Sequence, residues 1–470
     1  MANFKQGTAL IPNILAQRYA SQELIELFEP VNRVKIEREF WVEVLKLQIK
    51  YGFKVDSNAV KSYSKSIESI DLTSIEQREL VTKHDVKARI EEFNALAGYE
   101  VIHVGLTSRD LTDNIELIQI KKSLEFIQAK LYKLLNLCSE KIEEYKNLYM
   151  VGRTHNVPAQ ITTLGKKISI FAQELLMGYE NLTFEVKNLH FRGIKGAIGS
   201  KQDLLNLFDL STIEQIEKEL AEIYGFEKIF DSVGQIYPRS QDFSFISKLI
   251  LVGSGINSFA INIRLMSGIG LVQESFLSKQ TGSSAMPHKI NPRSSERING
   301  LMVLLRGYLS MASEITGNQW NEGDVSCSVV RRVILPDSIF AVDGIINTMY
   351  KVLQNLEVNK AVIDNELISN LAFLSSSEIL MRLVKKGVGR EKAHGEIRDA
   401  ANMAKGNQEI FISAVYNIFS HVISKEEIES ILTNYQSLSG SSITDCEKLI
   451  QKIKNLKPIN HKSIEFDLRF

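Results

Sequence analysis

The eight prolines of this 470-residue chain are widely spaced, and this spacing constrains the fold more than any other feature. Proline interrupts a helix because it lacks an amide hydrogen, so long stretches without proline leave room for long helices. From Ile115 to Val151 there is neither glycine nor proline, and apolar residues recur at helical spacing. This segment predicts a rod on the order of 50 Å long, at about 1.5 Å per residue.

Further segments with helical periodicity are each bounded by glycine, proline or asparagine clusters that are typical of turns. They span 166–191, 243–266, 297–315 and 337–357. No clear alternation predicts a major sheet, so the pattern predicts an all-α protein with a central long-helix bundle that oligomerises. We expect three helical domains, namely an N-terminal domain at 1–106, the central bundle at 107–358 and a C-terminal domain at 359–470.

Charge and cysteine content limit the partners and the compartment. Lysine and arginine together number 56, as do aspartate and glutamate, so no overall charge favours nucleic acid or an anionic membrane. Cys138, Cys327 and Cys446 are too far apart to predict a disulfide framework or a paired-cysteine metal site. The first residues lack a signal-peptide pattern, and no uninterrupted apolar stretch reaches about 20 residues. We therefore expect a cytoplasmic protein that meets anionic substrates with a local cluster of cations.

Polar segments that each carry a histidine interrupt the predicted helices. They are 83–85 (KHD, inside an otherwise charged helix), 103–110 (HVGLTSRD), 152–160 (GRTHNVPAQ) and 282–292 (GSSAMPHKINP). Taken singly, His84, His103 and His155 could be helix caps or solvated side chains. Nearby polar residues could likewise cap helix N-termini: Thr107, Ser108 and Asp113. No pair of histidines has a metal-binding spacing, so no metal is predicted.

The segment 282–292 has a different character, because neither a helical nor a strand period fits it. Glycine, two serines and alanine allow the backbone to bend, and Lys289 and Asn291 lie between Pro287 and Pro292. Nothing in packing requires such a loop, and long loops of this kind are commonly functional.

This loop resembles the signature GSSxMPxKxNP of the fumarase/aspartase superfamily. With His288 before the lysine, it is more similar to adenylosuccinate lyases and 3-carboxymuconate cycloisomerases than to fumarases or argininosuccinate lyases. Further blocks that resemble adenylosuccinate lyases are 17–21, 83–85 (with Lys83 in place of arginine), 103–108, 153–160, 193–199, 235–237 and 326–332. The resemblance implies three α-helical domains and a homotetramer in which three chains build each active site.

The same resemblance implies a cofactor-free lyase that releases fumarate by β-elimination. Its small-molecule substrates would be adenylosuccinate and SAICAR, in purine nucleotide biosynthesis. By this resemblance Ser283 is the base and Lys289 helps to stabilise the alkoxide and the aci-carboxylate. His155 is the general acid, and His84 orients the substrate or supports that proton transfer.

The resemblance also implies two sets of substrate-binding residues, and Lys83 is a further candidate for substrate binding. Those that hold the succinyl carboxylates and the base are Asp85, Thr107, Ser108, Gln160, Gln235 and Asn291. Those that hold the nucleotide phosphate are Arg18, Tyr19, Arg297, Ser328 and Arg332. The sequence departs from many relatives at Gly323, where they carry an arginine, so Arg332, Ser328 and Arg18 would contribute more to phosphate binding.

Alternatives stay open at this point. The chain could be a cycloisomerase or another lyase of the superfamily, although a muconate substrate has no phosphate for Arg18 and Arg332 to bind. It could also be a non-catalytic helical scaffold, which would have no need for Ser283 or the histidines. Arg297 could be an ordinary exposed helix arginine, and Tyr19 a core aromatic.

Overall fold

The computed structural model describes residues 12–274, Met286, 289–459 and 464–466, and most of these residues are helical. The first region is a set of mostly short helices around Trp41, whose ring stacks on that of Phe93 at 6.3 Å. The helices are α1 (Ile14–Arg18), α2 (Gln22–Phe28), α3 (Pro30–Lys50), α4 (Ser57–Ser66), α5 (Leu72–Thr82) and α6 (Asp85–Ala97).

A single long helix, α7 (Ser108–Tyr145), forms the axis of the described structure. Its 38 residues span about 57 Å. The Thr107 amide donates to Asp110 Oδ2 at 2.8 Å, which satisfies one of the amides at the start of the helix. Apolar residues are buried on several faces of α7, because other helices surround it.

The chain then returns along α7 in further long helices. The elements after α7 are the strands β1 (Tyr149–Thr154) and β2 (Val157–Thr163), the helix α8 (Leu164–Asn188), β3 (His190–Phe191), α9 (Gln202–Leu205), α10 (Leu210–Ile223), β4 (Lys228–Ile229) and α11 (Ser240–Gly268). Glycine lets α8 and α11 approach closely, since a Cβ on Gly178 would lie 2.9 Å from the Cα of Val252. The strands pair only two at a time: β1 with β2 as an antiparallel hairpin, and β3 with β4 in parallel.

The remaining elements complete the bundle and form a smaller helical region. They are β5 (Val272–Glu274), α12 (Arg293–Ile315), α13 (Ser326–Gln354), β6 (Leu356–Val358), α14 (Lys360–Leu374), α15 (Ser376–Lys385), α16 (Arg390–Ala404), α17 (Gln408–Phe419), α18 (Lys425–Thr433), a 3₁₀ turn (Tyr435–Ser439) and α19 (Ser442–Lys454). The strands β5 and β6 pair antiparallel beside the start of α12. Phe411 and Ile379 lie in a second, smaller apolar core, while α19 packs back against α7 and α8.

A buried ion pair connects α7 to α13 in the middle of the bundle. Lys130 Nζ donates to Asp343 Oδ1 at 2.7 Å, to Asn347 Oδ1 at 2.6 Å and to Ser21 Oγ. All three ammonium hydrogens therefore have an acceptor. Asp343 Oδ2 in turn accepts from the Ser21 amide at 2.6 Å, which holds the segment after α1 against α13. This contact places Tyr19 beside the bundle.

The prediction of a mostly helical protein built on long helices is confirmed. Several boundaries of the predicted helices are wrong, since residues 190–191 form β3 and residues 356–357 belong to β6. The helix α7 ends at Tyr145 and not at Val151 as predicted, because residues 149–151 belong to β1. The helix predicted to begin at Asp337 begins at Ser326, because Pro336 lies inside α13. The domain boundaries at 106 and 358 stay a prediction.

Two helical segments, Ser240–Gly268 and Lys360–Lys385, are long and apolar enough by length and composition to cross a membrane, which the sequence did not lead us to expect. Half of the apolar window in the first segment is buried, and the core helix of a soluble protein passes the same test. The second segment is divided between α14 and α15 at Ser375. Packing in the bundle accounts for the apolar character of α11.

Candidate active site

The first group of predicted residues lies where α7 begins. The segment 83–85 is not inside a helix as predicted: α5 ends at Thr82, Lys83 has a left-handed φ of 54°, and His84 caps the N-terminus of α6. His84 Nδ1 accepts from the Lys87 amide at 3.3 Å, and Nε2 lies 3.3 Å from Ser108 Oγ. A ring that accepts at Nδ1 carries its hydrogen on Nε2, so His84 donates to Ser108.

Asp85, next to His84, is surrounded by cations. Its Oδ2 accepts from Arg89 at 2.7 Å and lies 3.9 Å from Arg332, whose side chain is 72% exposed. Burial raises the pKa of Asp85. The charge of Arg89, a hydrogen bond from the Val86 amide and the smaller effects of His84 and Arg332 lower it by more, so the pKa lies below its ordinary value. An ionised Asp85 repels a substrate carboxylate, so the geometry favours a role in orienting Arg332 and His84.

Sequence reasoning gave no role to Arg109, which joins this group to α13. Its guanidinium donates to Asp113 Oδ1 at 3.1 Å and to Ser328 Oγ. Because the Ser328 oxygen accepts from Arg109, its own hydrogen can be donated to a ligand. The spacing of four residues between Arg109 and Asp113 is a signal that could have identified this pair. We call Lys83, His84, Asp85, Thr107, Ser108, Arg109, Ser328 and Arg332 the first cluster.

A buried ionic network lies next to the first cluster, since Arg109 contacts Asp113. Asp113, which could have been a helix cap, instead accepts from Arg239 Nη2 at 3.1 Å inside the protein. Arg331 Nε donates to Asp242 Oδ2 at 2.7 Å, and Tyr237 donates to Asp242 Oδ1 at 2.6 Å. Burial raises the pKa of Asp113, but the nearby arginines, first Arg239 and Arg331, hold it well below its ordinary value. Paired buried charges of this kind fix the relative positions of α7, α11 and α13.

His103, a candidate from its motif, is a structural residue. Its φ is 61°, and its Nδ1 accepts from Trp41 Nε1 at 3.0 Å. Burial lowers its pKa to about 4, against a partial opposing effect of Asp110 and a further lowering by His84. His103 therefore stays neutral at ordinary pH and is not available as a proton donor to the first cluster.

This pKa predicts how the stability depends on pH. The unfolded chain binds a proton at His103 below about pH 6.5, whereas the folded chain does so only near pH 4. Stability is therefore present above about pH 6.5 and is lost as the pH falls through this window, by up to about 3 kcal/mol. Urea unfolding across this range checks it. In His103→Asn, which keeps an acceptor for Trp41, this share of the loss should be missing, and parallel losses in both proteins would contradict the prediction.

The second group lies along α12 and the segment after α1. The Arg297 guanidinium lies 5.8 Å from the centre of the Tyr19 ring, and a Cβ on Gly344 would lie 2.8 Å from Tyr19 Cβ. Lys289 is exposed and Asn291 half-buried, just before α12 begins. The structure places Arg18 at the exposed end of α1. We call Arg18, Tyr19, Lys289, Asn291 and Arg297 the second cluster. Ser283 lies outside the described residues.

The third group lies on the β1–β2 hairpin at the far end of α7. His155 and Asn156 form its two-residue turn, with φ of 51° and 63°. Positive φ at both positions is the type I′ geometry that closes tight hairpins, and histidine adopts it at a cost. Such strain in a non-glycine residue favours a functional explanation. Both His155 and Gln160 are exposed, and Gln160 Nε2 lies 3.3 Å from Ser377 Oγ. We call His155 and Gln160 the third cluster.

Gln235 and Gly323 meet beside the first cluster. The Gln235 amide donates to the Glu322 carbonyl at 2.7 Å, and its carbonyl accepts from Arg192 Nε at 3.0 Å. Gly323 has a φ of 144°, and a Cβ there would lie 3.2 Å from the Ile236 side chain. This backbone conformation requires glycine, which gives a physical reason for the departure at this position.

One chain does not bring the three clusters together. Ser108 begins α7 and the hairpin follows its end, so the first and third clusters are separated by a helix of about 57 Å. Along α13, the sixteen residues from Ser328 to Gly344 put about 24 Å between the first and second clusters. Among the described residues, no group of three or more histidine, cysteine or acidic side chains could hold a metal ion.

Comparison with solved structures defines the class of fold. The chain superposes on 3-carboxy-cis,cis-muconate lactonizing enzyme from Pseudomonas putida with a TM-score of 0.81 and 20% identity, over 94% of this chain and 99% of that one. It superposes on a fumarate lyase from Mesorhizobium with a TM-score of 0.80 and 18% identity, over 94% and 100% of the two chains. The fold is that of the fumarate lyases.

Comparison of sequences gives the family. A lyase family model matches residues 45–307, so the chain belongs to this lyase family, within the fumarase/aspartase superfamily. Its relatives include adenylosuccinate lyase from Saccharomyces cerevisiae, 31% identical over 94% of both chains. Others are the adenylosuccinate lyases of Schistosoma mansoni, 33% identical over 83% of both chains, and of Aquifex aeolicus, 31% identical over 91% of this chain and 97% of that one.

Proposed function

We propose that this lyase eliminates fumarate from adenylosuccinate, giving AMP, and from SAICAR, giving AICAR. The observation that carries the proposal is the first cluster, because it combines the groups that such a substrate needs. The Ser108 hydroxyl accepts from His84 and the Ser328 hydroxyl accepts from Arg109, so both can donate hydrogen bonds to a ligand, and Arg332 is exposed beside them. Arginine pairs well with phosphate, and a succinylated nucleotide carries both carboxylates and a phosphate.

The proposed site needs several copies of the chain, because the three clusters are far apart in one copy. The surface of α8 supports an assembly: Ile170, Met177 and Phe184 are spaced seven residues apart and are 56%, 54% and 65% exposed. Apolar residues at this spacing are typical of a helix that packs against another helix. We propose a homotetramer in which the first, second and third clusters of different copies meet around one substrate.

The reaction requires a base, an acid and a stabilised anion. In the proposed mechanism Ser283 removes the proton next to the succinyl carboxylate, and Lys289 stabilises the negative charge that develops. His155 protonates the departing nitrogen, while His84 orients the substrate from the first cluster. Ser283 lies outside the described residues, so its role is proposed from the loop sequence.

A direct assay tests the proposed function. Purified protein is incubated with adenylosuccinate, with SAICAR and with 3-carboxymuconate, and ultraviolet absorbance follows each reaction. Turnover of the first two substrates supports the proposal. Turnover of carboxymuconate alone would identify a cycloisomerase instead, and inactivity on every fumarate-releasing substrate would favour a non-catalytic scaffold.

Sharing of the site between copies predicts complementation. We expect His155→Gln to lower kcat by about 10²-fold or more, because it removes the proton donor. His84→Gln is expected to lower kcat as well. When the two variants are unfolded together and refolded as mixed oligomers, some sites receive an intact His84 from one copy and an intact His155 from another. Activity of the mixture should exceed that of either variant refolded alone.

As a control for the mixing experiment, each variant is unfolded and refolded by itself in the same way. A mixture no more active than the separate variants would contradict a shared site. Wild-type rate and pH profile in His155→Gln would instead place the proton donor elsewhere.

We also propose that the enzyme works in the cytoplasm. Cys138, Cys327 and Cys446 are free and buried, which suits a reducing compartment.

A further inference from the structure

The hairpin that carries His155 is supported by the C-terminal helices. Val151 of β1 and Ile161 of β2 are buried together with Leu367 and Leu374 of α14. Arg153, two residues after Val151, also contacts α14, because its guanidinium donates to Glu366. The hairpin therefore has one face fixed to a helix outside the central bundle.

Arg153 forms a bridge between that helix and the turn. Its Nη2 donates to Glu366 Oε1 on α14, and its Nη1 donates to the Asn156 carbonyl at 3.1 Å. The Arg153 and Glu366 side chains are only 23% and 15% exposed, so this pair is less screened by water than a surface ion pair. Asn156 is the second residue of the turn, and His155 is the first.

The turn needs such support because its backbone is strained. His155 and Asn156 both have left-handed φ values, and this conformation costs roughly 1–2 kcal/mol at His155, whereas asparagine adopts it more readily. The bond from Arg153 to the Asn156 carbonyl stabilises the turn in this form. Glu366 in turn fixes the guanidinium that makes the bond.

Glu366 also balances charge behind the turn. Burial and then the charge of Arg153 lower the pKa of Lys167, and Glu366 opposes this effect. Without the Glu366 carboxylate, Arg153 and Lys167 would repel each other. The guanidinium would then be pushed away from the place where it holds the Asn156 carbonyl.

We propose that Arg153, held by Glu366, is a positioning residue that sets the orientation of His155 for proton transfer. The inference rests on the proposed function, in which His155 is the general acid. It gives the C-terminal helices an indirect part in catalysis, through one carboxylate on α14. Proton transfer depends on this geometry, because a misplacement of about 1 Å can cost 10²-fold in rate.

The test uses Glu366→Gln and Arg153→Lys in the full-length oligomer. We expect each to lower kcat by about 10- to 10²-fold, with little change in KM for adenylosuccinate. Lysine keeps the charge but lacks the fork that reaches both the Asn156 carbonyl and Glu366. The matched control is Glu427→Gln, which removes the exposed ion pair with Lys386 in the same region and should leave kcat unchanged. Unchanged kcat in both test variants would overturn the inference.

A double variant separates positioning from a general loss of structure. Because Arg153 and Glu366 act through His155, Glu366→Gln should add little further loss to a His155→Gln enzyme. A second loss as large as the one seen with intact His155 would overturn the inference while leaving the proposed function in place. If His155→Gln by itself keeps the wild-type rate, the proposed role of His155 fails first, and the positioning role fails with it.

Discussion

Replacement of Ser283 with alanine is expected to lower kcat by about 10²- to 10⁴-fold, the range that a general base supplies. Alanine at position 283 has no hydroxyl and therefore cannot accept the substrate proton. The expected loss is in kcat rather than in binding, because the proposed base acts only when the C–H bond breaks. Steady-state kinetics with adenylosuccinate measures this effect, and calorimetric titration with AMP measures nucleotide binding, which should be retained.

A matched control shows whether the loss is specific to the proposed base. Ser420→Ala changes an exposed serine outside the proposed site and should leave kcat unchanged. A Ser283→Ala enzyme that works within about tenfold of the wild-type rate would remove Ser283 from the role of base. Loss of AMP binding together with activity would indicate damage to the fold instead.

Replacement of Lys130 with methionine is expected to lower the free energy of unfolding by about 3–5 kcal/mol. Lys130 and Asp343 are both fully buried, and the ammonium has three acceptors around it. Methionine fills a similar volume but leaves the Asp343 carboxylate without its cation. An uncompensated buried charge costs far more than the loss of an ordinary hydrogen bond. Urea unfolding at one fixed protein concentration measures the effect, since assembly also contributes to stability.

Two further variants make this prediction specific. Lys141→Met removes a pair on the same helix whose partner, Glu144, is 50% exposed, and it should cost less than about 1 kcal/mol. The double variant Lys130→Met/Asp343→Asn removes both charges and should recover part of the lost stability. Equal losses in Lys130→Met and Lys141→Met would show that burial of the pair does not matter as we infer.

Some of the candidate site could be predicted from the sequence, because part of its signal is local. The loop 282–292 and the histidines of the polar segments were recognisable from residue types and spacing alone. The pairing of His84 with Ser108 was not, because it depends on a break between α5 and α6 that places residue 84 against the start of α7. The contacts of Arg109 with Ser328 and of Arg153 with Glu366 were also missed, because in each pair the two residues lie far apart along the chain.

The two-residue turn at His155 is another feature that the sequence did not predict. Type I′ turns usually contain glycine, most often as Asn-Gly, whereas residues 155 and 156 are histidine and asparagine. The sequence therefore predicted a helical rod up to Val151, although β1 begins at Tyr149. The hairpin forms because α14 covers one of its faces and Arg153 supports its turn.

The sequence by itself determined that the chain is mostly helical, that it contains rods as long as α7, and that it resembles one lyase superfamily. These properties follow from residue periodicity, from the absence of glycine and proline, and from a contiguous motif, all of which are local. Only the tertiary structure decided which buried charges pair, where Pro336 is tolerated, and that most of the described site residues fall into three separate clusters. Those outcomes depend on which distant side chains packing brings into contact, and no local pattern specifies such contacts.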